Sequence, residues 1–410
     1  MTHTITSLAA AVDHVLDSIK GPIVLGIPLG VGKPNPFVNA LYRRIKDSAT
    51  RELTIITALS LEKPVGHSDL ERHFLEPLVE RVFANYPDLD YVKDSRAGHL
   101  PPNIHVREFF LKTGDYLGND LAQQSYISTN YTFVARDMAV QGINVLAQAV
   151  ASRQEAGSLR LSLSSNPDVT REVVERLRQS GGQLLTVGVV NDAMPFMPNG
   201  AEVAGDYFDI LVTDPAATHA VFAPPNAKVS PADYAIGLHA ASLVRDGGTL
   251  QIGIGSLGDA IGQALIVRDR HGEAFRSMLE SLCPNGTGGR ELGRFDQGLY
   301  GCSEMFVNAF LKLMEAGIIR REVFADVVLQ QCINHGTVAV DTVNLDSLLA
   351  LRTAGRIHRK LTDQDLQFLQ TFGLLKAGVV LQDDTLTLDG ISCTNDLHDA
   401  TSAEVITEHM

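Results

Sequence analysis

Short apolar runs alternate with helix-patterned stretches along most of this chain, and no other feature of the sequence narrows the fold as far. That alternation is the pattern of an α/β domain with a largely parallel sheet. Residues 5–19 read as a helix and 22–26 as a strand. The loop Gly30-Val31-Gly32-Lys33-Pro34-Asn35-Pro36 leads into a helix over 37–45 and the strand 53–57, which completes one βαβ unit. Weaker signals continue to residue 150. A strand over 159–164 comes next, and Asn166-Pro167-Asp168 opens a helix over 168–179 that Gly181-Gly182 closes. The strand 184–190, an irregular stretch over 191–200 and the strand 208–212 follow.

With 410 residues the chain is long enough for two domains. Residues 214–231 are rich in Pro and Ala and carry little periodicity, so the boundary is placed near Pro224, giving domains over 1–223 and 224–410. Ser230 can cap a new helix, Pro231 suits its first turn and Asp233 favours its positive end, and the helix is expected to reach about Arg245. Asp246-Gly247-Gly248 stops it before a strand over 249–252. No internal repeat is visible, and the tail beyond Gly390 is polar and gives no fold signal.

Charge and cysteine content exclude several classes of function. Lys and Arg total 34 against 48 Asp and Glu, a net charge of −14, and no basic block offers the clustered face that nucleic acid needs. Small anions stay open, because a few backbone N–H groups can hold one inside an acidic protein. Cys283, Cys302, Cys332 and Cys393 are widely spaced, so neither a disulfide framework nor a structural metal is expected. Charged residues interrupt every apolar run before membrane-spanning length, and the expectation is a cytoplasmic protein with no membrane partner.

Gly253-Ile254-Gly255-Ser256-Leu257-Gly258 follows the strand at 249–252 and opens a helix over 259–267. Glycines there let the backbone approach a ligand, and the free N–H groups of a helix start can bind a phosphate or a developing oxyanion. The spacing also meets a dinucleotide fingerprint, so an NAD-dependent oxidoreductase is one alternative. That fingerprint needs a second strand ending in an acid about 20 residues on, and residues 259–281 read as helix and polar loop instead. The earlier loop, Gly26 to Lys33, lacks the glycine spacing of a phosphate loop and has Pro34 where Ser or Thr would bind magnesium. It reads as a backbone turn.

Taken alone, Glu304 is a carboxylate in the first turn of a helix whose apolar face is Phe306, Phe310, Leu313 and Met314 and which Gly317 ends. Its company changes that reading. Val190-Asn191-Asp192-Ala193-Met194-Pro195, with Gly200 and Asp209 downstream, is similar to a V-N-x-x-x-P segment. Gly248-Thr249-Leu250-Gln251-Ile252-Gly253-Ile254-Gly255, with Asp259-Ala260, is similar to T-L-Q-x-G-I-G-x-x-x-D-A, and Gly301-Cys302-Ser303-Glu304-Met305 to G-x-H-[ST]-E-M. In this order the three segments resemble the acetyl-CoA hydrolase/CoA-transferase family, which includes the 4-hydroxybutyrate and acetate CoA-transferases. The match is strongest over about 184–320. Cys302 stands where the family has His, and no glycine loop of the G-G-Q type is found between Glu304 and Met410, where the family's second domain has one.

The resemblance implies two NagB/RpiA/CoA-transferase-like α/β domains with mainly parallel sheets, the second expected to be incomplete. It implies coenzyme A as substrate, with no metal or tightly bound cofactor, and short-chain acyl-CoA and small carboxylates as the molecules handled by a homo-oligomer. Glu304 would be the covalent nucleophile, kept ionised by its helix end, and would pass through an acyl-glutamyl anhydride and a glutamyl-CoA thioester. Asn191 is the candidate for orienting the glutamate or an acyl oxygen, with a plain turn residue as its other reading. Gly253, Gly255, Ser256 and Gly258 would form the binding loop, whose N–H groups could stabilise an oxyanion at about 3–4 kcal/mol per donor. If a carboxylate resolves the anhydride the protein is a transferase; if water does, it is a hydrolase. A catalytically impaired CoA-binding homologue is the alternative from the binding class. A thiol nucleophile at Cys302 and a serine-hydrolase elbow find no support in the sequence.

Overall fold

The computed structural model describes residues 2–48, 50–223, 227–303 and 305–408. The chain divides into two compact units, Met1–Pro224 and Pro225–Met410. The expected boundary residue, Pro224, lies outside the described residues.

The first unit is built on nine strands: β1 (His3–Ile5), β2 (Ile23–Gly26), β3 (Leu53–Thr57), β4 (Ile104–Glu108), β5 (Val145–Glu155), β6 (Ser158–Ser162), β7 (Leu185–Val190), β8 (Glu202–Ala204) and β9 (Ile210–Val212). Seven of them lie in the order β1-β9-β7-β5-β2-β3-β4, every neighbouring pair parallel. The far half of β5 leaves this sheet and pairs antiparallel with β6, which pairs antiparallel with β8. This is the α/β architecture that the alternating runs demand.

Successive strand residues enter different cores. Ile55 and Ala147 join a cluster with Val12, Phe37, Leu41 and Tyr42, from helices Leu8–Ser18 and Asn35–Lys46, whereas Ile56 and Leu146 join one with Met138 and Val173, from helices Val134–Val140 and Pro167–Gln179. Burial on both faces explains the continuous apolar runs. Each large side chain taken wholly out of water contributes about 1.5–3 kcal/mol. Chain reversal from β4 back to β5 puts a topological switch between β2 and β5, so the loops at the carboxyl ends of these strands form the crevice side of the sheet.

The helix expected over 5–19 is divided. Residues 3–5 form β1 against β9, and the Ser7 hydroxyl caps a helix that starts at Leu8. The pairing joins residues more than 200 positions apart and leaves no local signal. Similarly, the strand expected over 208–212 begins only at Ile210.

In the second unit, Ser230 and Asp233 form a reciprocal capping box at the head of helix Pro231–Ala241. This helix stops short of Arg245, because the buried Arg268 guanidinium takes the Ala241 and Val244 carbonyls and the Ser242 hydroxyl takes that of His239. β10 (Thr249–Gln251) then pairs in parallel with β11 (Tyr300–Cys302), Gln251 opposite Cys302. Helices Ser256–Arg270, Gly272–Leu282 and Asn308–Glu315 enclose a core of Leu265, Phe275, Leu299, Phe310 and Leu313.

A second core, with Leu348, Leu351, Leu369 and Leu386, joins helices from Val327 onward to an antiparallel meander, β12 (Val380–Gln382), β13 (Thr385–Leu388) and β14 (Ile391–Thr394). The tail beyond Gly390 is therefore structured, in β14 and helix Ala400–Glu408. Its two turns are pairs of positive-φ residues, Asp383-Asp384 and Asp389-Gly390, the geometry that matches the twist of a tight hairpin. The Asp-Gly pair between β13 and β14 was the available sequence signal.

Candidate functional site

Two of the three motif segments meet at one edge of the second unit. β10 and β11 are parallel neighbours, so the Gly253–Gly258 loop and Ser303 leave adjacent strands at the same, carboxyl, end. The Ser303 hydroxyl reaches the Ile252 carbonyl at 2.7 Å and the Met305 carbonyl at 2.6 Å.

The loop is open. Gly255 caps the following helix at φ 118°, a backbone state costly for any residue with a Cβ. Around a Cβ built at Gly253 or Gly255 nothing stands within 4 Å among the described residues, and Ile254 is 59% exposed. Gly258 differs: a Cβ there would stand 2.5 Å from the Gly253 carbonyl oxygen, so its glycine lets the helix start fold back onto the strand end. The helix runs Ser256–Arg270, three residues earlier and three later than expected, because Gly255 serves as its cap. Its first-turn N–H groups have no intrahelical acceptor. The Asp233 carboxylate is held below the usual carboxylate range, first by the Ser230 backbone N–H and hydroxyl and least by the neighbouring Ser256 side chain.

Glu304 lies outside the described residues. The helix expected to begin around it begins at Asn308, so the helix-end argument for its ionisation has no described helix turn behind it. Phe306 and Met314 are 62% and 52% exposed and leave the buried face to Ala309, Phe310 and Leu313. Cys302 is exposed and free.

Asn191 belongs to the first unit, at the end of β7, and is buried. Its side-chain oxygen accepts the Ala193 N–H at 3.0 Å and the His219 N–H at 3.3 Å, closing a turn and pinning a second loop. Its Nδ2 has no hydrogen-bond partner among the described residues.

A polar cluster that the sequence did not reveal lies at the carboxyl ends of β2, β3 and β4. Lys33 is buried, and its ammonium donates to the Ala58 carbonyl at 2.5 Å and the Leu59 carbonyl at 3.1 Å. Burial pulls its pKa down to about 7 against the opposing pull of Glu108. The Glu108 carboxyl is pushed up by burial, opposed by its hydrogen bond from Ser60 and by Lys33. Ser60 also meets the Tyr91 hydroxyl at 2.7 Å, and a cavity of about 40 Å³ opens beside Tyr91, Glu108 and Tyr116. Leu59, held by Lys33, has φ 49°. The loop before Lys33 is a backbone turn between β2 and the next helix, closed at its Gly32-Lys33 end by Asn166 and by the Lys33 contacts.

Among the described residues no group of three or more His, Cys, Asp or Glu could hold a metal ion, and no helix is long and apolar enough to cross a membrane.

No family model and no curated protein matches the chain. Among solved structures, a 4-hydroxybutyrate CoA-transferase from Porphyromonas gingivalis aligns at TM-score 0.44 and 18% identity, over 77% of this chain and 58% of that one. The alpha subunit of citrate lyase from Streptococcus mutans, in complex with citrate, aligns at TM-score 0.44 and 13% identity, over 82% and 58%. RipA from Yersinia pestis aligns at TM-score 0.50 and 15% identity, over 77% of this chain and 59% of that one. The chain spans 59% of the length of RipA, and what the likeness to RipA establishes is a shared α/β fold with a large, mostly parallel sheet.

Proposed function

We propose that this chain carries the glutamate site of an acyl-CoA:carboxylate CoA-transferase or an acetyl-CoA hydrolase. The observation that supports this reading best is the parallel register of β10 and β11, which sets the open glycine loop and the start of its helix beside Ser303, the residue before Glu304 in the sequence. In the proposed cycle the Glu304 carboxylate attacks the thioester carbonyl, and CoA leaves as the thiolate. The thiolate then attacks the glutamyl carbonyl of the resulting anhydride, expels the first carboxylate and leaves a glutamyl-CoA thioester. An incoming carboxylate reverses both steps and leaves as the new acyl-CoA. N–H groups of the loop face the charge that develops on the thioester oxygen, and contacts to the remote parts of CoA supply binding energy at the reacting carbonyl.

Short acyl groups such as acetyl, small carboxylate acceptors, a cytoplasmic location and a homo-oligomeric state complete the proposal. Asn191, with a buried amide N–H₂ that no described residue accepts, is proposed to orient an acyl oxygen.

The test is covalent. Incubation with acetyl-CoA followed by borohydride and peptide mass spectrometry should place the modification on Glu304, and Glu304→Gln should remove turnover. Acceleration of CoA release by added acetate or succinate assigns transfer, and indifference to them assigns hydrolysis. Unmodified Glu304 with full activity in Glu304→Gln would refute the mechanism. CoA binding without any turnover would identify the impaired homologue.

A further inference from the structure

The Ser303 hydroxyl has one proton and lies within hydrogen-bond reach of two carbonyl oxygens, those of Ile252 and Met305. These oxygens belong to different pieces of the site. Ile252 is the residue between β10 and the glycine loop, and Met305 follows the glutamate position. β11 ends at Cys302, opposite Gln251, so Ser303 is the first residue past the ladder on its strand as Ile252 is on the other. Backbone pairing stops there and the hydroxyl takes over.

From this geometry we propose that Ser303 is a positioning residue, whose shared hydroxyl proton fixes the backbone on both sides of residue 304 against the root of the Gly253–Gly258 loop. The inference rests on the CoA-transferase reading of that site. One hydroxyl bond at the rim of the second unit's core is a small part of what holds these strands, which already pair through β10 and β11. It matters for the distance between a nucleophile and the oxyanion donors, where a displacement of about 1 Å can cost a hundredfold in rate.

Ser303→Ala is therefore expected to lower kcat for acyl-CoA turnover about 10- to 100-fold, with KM for acyl-CoA within about threefold and little change in Tm. Ser303→Thr, which keeps the hydroxyl, is expected to restore kcat to within about threefold of the parent. Borohydride trapping supplies the separate readout: modification of residue 304 should be slowed in Ser303→Ala and restored in Ser303→Thr. If the parent traps on Glu304 and Ser303→Ala turns over at the parent rate, or Thr fails to rescue, the positioning role is wrong while the glutamate reading stands. If the parent itself does not trap on Glu304, both fall.

Discussion

The protein contains two glycine loops that look alike in sequence, each after a parallel strand and before a helix, and they are used in opposite ways. The loop after β2 is packed shut at its Gly32-Lys33 end, while Gly30, at φ 60°, has nothing within 4 Å of a Cβ among the described residues. A Cβ at Gly32 would overlap the Asn166 side-chain oxygen, and Lys33 is buried against the next loop's carbonyls. The loop after β10 is open at Gly253 and Gly255, and only Gly258 is there for want of space. Gly32 in the first loop makes room for a side chain of the fold, whereas Gly253 and Gly255 in the second leave the space above the backbone open among the described residues. Motif spacing cannot separate these uses, because the atoms that fill or spare each loop come from residues far away in the chain.

The largest effect expected on this contrast is at Gly258. Its neighbour is a backbone oxygen, which cannot swing aside, so Gly258→Ala should cost about 2–3 kcal/mol in denaturant unfolding, whereas Gly253→Ala should stay within about 0.5 kcal/mol. Equal costs at the two positions would contradict the packing described for the second loop.

Gly32→Ala should cost about 1–3 kcal/mol, because it overpacks against Asn166. Here the obstacle is a side chain. Asn166→Ala in the same chain should recover much of the loss, and a double-mutant cycle that shows simple additivity would remove Asn166 as the cause.

The smallest effect is on pH dependence. Lys33 releases its proton near 7 in the folded protein and near 10.5 when unfolded, so between these values the unfolded chain binds more protons and stability rises with pH. Below about 7 the cost of burying the charge is present in full. Glu108 acts in the opposite sense on the acid side: its raised pKa contributes stability below 4.5 that is lost as pH rises through the folded value. Tm measured between pH 7 and 9.5 should climb in the parent and flatten in Lys33→Met. An unchanged slope would mean that Lys33 stays charged in place.

Much of the first unit was legible because its strands are buried on both faces. Residues 53–57 appear as β3 without change, and the helix over 168–179 differs by one residue. β1 was missed, since three residues at a sheet edge carry no period. Of the site, the glycine loop and the 301–305 segment were visible as motifs, and Ser303 was visible only as part of one, because its acceptors depend on strand register. The Ser230/Asp233 cap was legible locally, but the link from Asp233 to Ser256 crosses from one helix to the next and no spacing announces it.

The sequence by itself determined the α/β class, several of the parallel strands and helices, and the residue types offered for acyl-transfer chemistry. Periodicity and turn residues act locally, and they suffice for that. Which glycine is packed against a distant side chain, which hydroxyl bridges the ends of β10 and β11, and which lysine has its pKa pulled down by burial were decided by the tertiary structure alone. Those outcomes depend on contacts between residues 25 to more than 130 positions apart, such as Lys33 with Ala58, Ser303 with Ile252, and Gly32 with Asn166. Steric exclusion and desolvation act through distance in space, and the chain expresses that distance only once it is folded.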